Sequence, residues 1–103
     1  MNQFIAEFIG TYLFIFCVLI ITENKKFSNL SIAIMISLSM FVCIMITRYI
    51  YEKSHINFNP ALTSTSLIKG DIHWFEFISL VLIQIFAAIS AYYTFKIYKK
   101  YVK

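Results

Sequence analysis

Charge is scarce in this sequence. Asp, Glu, Lys and Arg make up 14% of its 103 residues, against about a quarter in an ordinary soluble domain. With 2 glycines and 1 proline it holds no linker and no low-complexity stretch, and no internal repeat is visible, so one domain is the limit. The two cysteines, Cys17 and Cys43, sit apart inside apolar runs, without a second thiol or a histidine at ligand spacing. They read as small buried hydrophobes, and no metal site is expected. No Lys or Arg precedes the first apolar run and no small-residue cleavage site follows it, which argues against a cleavable signal peptide. Met1 is expected to begin the mature protein.

What the chain does have is apolar length. Sixty per cent of it is hydrophobic, gathered into long runs, and a run of about 18–20 residues crosses the roughly 30 Å hydrocarbon core of a bilayer. Three such runs are visible, at about residues 4–22, 30–47 and 74–98. The net charge of +4 does not imply nucleic acid, because the basic residues lie just outside the runs, where they anchor helix ends at lipid headgroups. Membrane lipid is the partner expected from composition. Small residues recur at helical spacing: Ala6 and Gly10 in the first run, Ser31, Ala33, Ser37 and Ser39 in the second, Ala87 and Ala91 in the third. They mark candidate helix contacts, because close backbone approach replaces the hydrophobic drive in lipid.

Between the second and third runs lies SHINFNPALTSTSLIKG, residues 54–70, which is neither a span nor an ordinary loop. Asn59 is a good N-cap, Pro60 suits the first helical position, and Gly70 suits a C-terminal cap. The helix so bounded, at about residues 60–68, is on the order of 13 Å long, or half a membrane. Two readings of the spacing stay open. One is a short surface helix. The other is a re-entrant half-helix, occupying about residues 54–69 with its loop, whose free N–H groups repel cations and orient neutral solutes near the midplane.

Three segments share their order and spacing with one family. Asn59-Pro60-Ala61-Leu62-Thr63 resembles the NPA box of the aquaporin, or major intrinsic protein, family; Ala6-Glu7-Phe8-Ile9-Gly10-Thr11 resembles its AEFxGT start; and Gln84-Ile85-Phe86-Ala87-Ala88 resembles its QxxGA stretch. The resemblance implies an all-α membrane protein with three transmembrane helices plus one re-entrant NPA half-helix, that is, half an aquaporin. Family members carry two inverted repeats, and only the first is represented in these residues. Two departures stand out: Asn57 where the family usually has His, and His55 where it usually has Gly.

The resemblance implies a passive channel, with neither enzyme activity nor cofactor. Asn59 would donate its amide to the permeating molecule, Pro60 and Ala61 would meet a second half-helix, and Glu7 would brace the re-entrant loop. His55, Ile56, Asn57 and Phe58 would line the pore with carbonyls. Ala6, Gly10, Gln84, Ala87, Ala88 and Ala91 would make helix contacts. Thr63, Ser64, Thr65 and Ser66 are expected to satisfy carbonyls of their own helix. Leu62 stands where the family's second repeat carries its filter arginine, so a more apolar or looser constriction is expected, open to glycerol, urea or ammonia as well as water.

Half a pore needs a partner, and the symmetric solution is an antiparallel copy of the same chain. Arg48, Lys53 and Lys69, three residues, fall on the face of the N-terminus; Lys25, Lys26, Lys96, Lys99, Lys100 and Lys103, six residues, fall on the other. This bias opposes the family's usual orientation, so mixed insertion and a single reversed orientation are both open. Three other classes compete with the channel: a proton-coupled exporter resembling small multidrug resistance proteins and using Glu7, a holin-like pore former, and a nonfunctional channel fragment. The exporters have four full spans where this chain has a half-span with an NPA box, the holin leaves the box unexplained, and the channel fragment stays open.

Overall fold

A computed structural model describes residues 3–51 and 58–102, and these are all-helical. In chain order they form α1 (Gln3–Glu23), α2 (Asn29–Ile50), α3 (Pro60–Ile68) and α4 (Trp74–Val102). Helices α1, α2 and α4 are each long and apolar enough to cross a membrane. The expected pore-loop residues His55, Ile56 and Asn57 lie outside the described residues.

The linkers set the arrangement. Residues 24–28, between α1 and α2, reach at most about 18 Å when extended, whereas the 21 residues of α1 rise about 31 Å. So α2 must return alongside α1. Ser28 starts it as N-cap, its hydroxyl accepting from the Ser31 N–H at 3.1 Å. Helix α4 then runs parallel to α1, with side-chain hydrogen bonds joining Gln3 to Glu76, Glu7 to Gln84, Tyr12 to Thr94 and Glu23 to Lys99. Helix α1 packs against both α2 and α4, and α3 packs on α4.

Small residues make the α1–α4 seam close. Ala87 and Ala91 on α4 are fully buried, and Leu80 and Phe95 are buried on the same helix. Most large apolar side chains, among them Leu30, Phe41, Phe75 and Phe86, face outward, as they should where lipid is the solvent.

Two expectations change. On α2, Ser31, Ala33 and Ser37 are exposed and Ser39 is half-buried, so this small-residue face is not a contact within the chain. The Ser37 and Ser39 hydroxyls donate to the carbonyls of Ala33 and Met35, each at 2.8 Å. Such back-bonding leaves them needing no neighbour. Contact on α2 comes instead from Cys43 and Thr47, both buried. The third span also runs past residue 98, remaining helical to Val102. Lys96 lies over the ring of Tyr92 and Lys99 over that of Phe95, at 5.9 and 5.7 Å, four-residue pairings that favour helix, and basic residues suit a helix C-terminus.

Candidate functional site

Helix α3 is built as its residue types require. Asn59 is extended (φ −150°, ψ 124°), and its Oδ1 accepts from the Ala61 N–H at 2.7 Å; Pro60 follows at the first helical position. The cap leaves the Asn59 amide nitrogen on an exposed side chain. The hydroxyls of Thr63, Ser64 and Thr65 donate to the carbonyls of Asn59, Pro60 and Ala61 at 3.0, 2.8 and 3.2 Å, with Ser66 reaching Leu62 at 3.5 Å. The expectation for these four residues therefore holds. At the far end the Gly70 N–H donates to Leu67 O (3.0 Å) and the Asp71 N–H to Ser66 O (2.9 Å). This reciprocal pair is a Schellman motif, and its left-handed position is taken by Gly70 at φ +84°.

What holds the start of α3 is a buried polar network. Glu7, wholly buried on α1, accepts from the Phe58 N–H at 3.0 Å on one oxygen and from the Gln84 side-chain nitrogen at 3.1 Å on the other. The same nitrogen donates to Thr63 Oγ1 at 2.8 Å, and Thr63 donates to Asn59 O. Phe58 and Thr63, the residues bracketing Asn59-Pro60-Ala61-Leu62, are thus tied through Gln84 to one carboxylate. Burying a carboxylate within an apolar helix is costly unless it is well bonded, and here its oxygens accept from Phe58 and Gln84.

Phe58 carries the strain of the turn. It is a non-glycine residue at φ +58°, a conformation that costs on the order of 1–3 kcal/mol. The Glu7 bond holds its N–H, and its buried ring lies over Gly10, where a Cβ would overlap the ring and come within 3.0 Å of the Thr47 methyl. Gly10 is therefore glycine to admit Phe58, beyond the helix contact expected of it. Around it Ala6, Cys43 and Phe58 form a small apolar core with Phe14, Met40, Ile44 and Tyr51.

The other expected site residues are placed as follows. Pro60, Ala61 and Leu62 are exposed; Ala88 is half-buried beside Pro60 and Gln84; Ala87 and Ala91 are buried in the α1–α4 seam. Sequence reasoning named Gln84 as a helix contact and missed its role as the link between Glu7 and Thr63. An isolated glutamine in an apolar run was the available signal. Among the described residues no group of His, Cys, Asp and Glu could hold a metal ion.

No curated protein and no solved structure matches the chain significantly. The sequence model of one family, described as Major intrinsic protein, matches residues 1–102, almost the whole chain. With three apolar helices long enough to span a bilayer, this points to an integral membrane protein of aquaporin type, and the chain belongs to the major intrinsic protein family.

Proposed function

We propose that the chain is one half of a passive channel for water and small neutral solutes, its pore completed by a second half-channel in inverted orientation. The observation that carries this reading is the hydrogen bonding of the NPA turn to Glu7, Gln84 and Thr63, which leaves the N-terminus of α3 and the Asn59 side chain exposed at the surface of the chain. That nine-residue helix, on the order of 13 Å long against a core of about 30 Å, supplies half the depth of a pore. The complementary half is an antiparallel copy of the same chain.

With both carboxylate oxygens of Glu7 committed to Phe58 and Gln84, the bracing role is favoured over proton carriage and over the exporter. Leu62, about half exposed, gives the constriction an apolar wall without arginine, so glycerol, urea or ammonia pass as well as water. Stopped-flow shrinkage of proteoliposomes tests the reading. Water and glycerol permeability above empty vesicles is expected, with most of it lost on Asn59→Ala, which also removes a cap worth about 1 kcal/mol. No permeability, or a proton-coupled flux removed by Glu7→Gln, would sink the channel. Reporters fused at the C-terminus should label both sides of the membrane. A single labelled side would replace the antiparallel copy by another partner.

A further inference from the structure

Charge of one sign gathers at one end of the bundle. Because α1 and α4 run parallel, their C-termini meet the α1–α2 turn there, and Lys25, Lys26, Lys96, Lys99 and Lys100 stand against a single described carboxylate, Glu23. Lys99 donates to that carboxylate at 2.8 Å. The other four lysines are exposed, and among the described residues none of them has an ion-pair partner. Near the start of α4, at the opposite end, Lys69 instead has Asp71 within 3.6 Å. The lysine end also holds a cleft of about 540 Å³, with Glu23, Lys25, Lys99 and Val102 around it. A hollow of about 240 Å³ adjoins it, sharing Glu23, Tyr98 and Lys99 and adding Ile20 and Phe95. A cationic rim thus opens onto an apolar floor.

We propose that this cleft is a specific site for one anionic phospholipid, its phosphate between the Lys25 and Lys99 ammonium groups and the upper part of an acyl chain along Ile20 and Phe95. The rim calls for an anion, since the positive charge there exceeds what Glu23 compensates. The floor calls for hydrocarbon, since Ile20 and Phe95 offer a small anion no bond. An anionic phospholipid carries both groups in one molecule. Glu23 contributes by fixing Lys99 at the rim through their hydrogen bond. General anchoring of helix ends at headgroups needs only a lysine at each end. This site needs Lys25 from the α1–α2 turn and Lys99 from α4, which meet only in the folded chain, and its ligand bridges the two. The site rests on the ends of α1 and α4 and is independent of the channel reading.

The test follows backbone amide shifts by NMR for the full chain in maltoside micelles, as phosphatidylglycerol is added. Saturable shifts are expected at residues 20–26 and 95–102, with phosphatidylcholine of the same chain length leaving them unmoved. Lys25→Gln, an exposed change in a turn, should raise the apparent Kd about fivefold, whereas Arg48→Gln on α2 should leave it unchanged. Equal shifts from the two lipids overturn the proposal. So does an equal loss in both variants, which would reveal diffuse attraction to the net charge. Glycerol phosphate without acyl chains tests the floor: binding as tight as that of phosphatidylglycerol would assign the rim to free phosphate and overturn the lipid site, and much weaker binding supports it.

Discussion

The two flanks of α1 are held by different means. Towards α4 it is cross-linked along its length: Gln3 to Glu76 at 2.8 Å, Glu7 to Gln84, Tyr12 to Thr94 at 2.6 Å, and Glu23 to Lys99 at 2.8 Å. Towards α2, among the described residues, the contact is apolar and small: Ala6 and Gly10 against Cys43 and Thr47, with Thr47 spending its hydroxyl on Cys43 O of its own helix at 2.8 Å. Polar bonds fix register because they tolerate no one-residue slip, whereas apolar contact between helices in lipid rests on packing alone. The polar flank is also the one that holds α3. The site is thus built on α1 and α4, with α2 contributing chiefly the Thr47 methyl and Cys43 behind Phe58.

The contrast can be broken most severely at Glu7. Glu7→Leu leaves the Phe58 N–H and one of the two Gln84 amide N–H groups as buried donors without an acceptor, at about 1–3 kcal/mol each. Reversible unfolding in detergent should show this as the largest loss of any single change discussed here; a loss below that of Tyr12→Phe would mean that the network does not hold the fold. Gly10→Val probes the other flank. Its side chain overlaps the Phe58 ring and crowds the Thr47 methyl, an overpacking worth about 1–3 kcal/mol. A second change, Phe58→Leu, should recover part of it, and absence of recovery would place the crowding elsewhere.

Smaller effects sharpen the picture. Tyr12→Phe removes one part-buried hydrogen bond and should cost about 0.5–1.5 kcal/mol, read from the same unfolding curves. Lys99→Met breaks an exposed ion pair with Glu23 and should cost less than about 1 kcal/mol, with the difference vanishing in high salt. Ser37→Val, on the outward face of α2, should stay within about 0.5 kcal/mol. A larger loss there would show that another chain covers that face.

Much was legible in the residues themselves. Apolar runs of span length, separated by Lys and Asn, determine three helices long and apolar enough to cross a membrane, because backbone groups in lipid must be satisfied within each helix. Asn59-Pro60 and Gly70 determine the ends of α3 by local chemistry, an Asn cap, a proline without an N–H to lose, and a glycine free to take positive φ. That Glu7 would be hydrogen-bonded could be read too, since a carboxylate inside an apolar run must find donors.

What the tertiary structure alone decided is which groups satisfy one another across the chain. Gln84 lies 77 residues from Glu7 and 21 from Thr63, separations at which no local periodicity carries information. The left-handed Phe58 was invisible for a related reason: its conformation is disfavoured locally, and it persists because a carboxylate on one helix and a missing side chain at Gly10 compensate it. On α2 the small-residue spacing was read as a contact that the chain does not make, because spacing identifies a face that can be packed against and only the positions of the other helices decide whether it is.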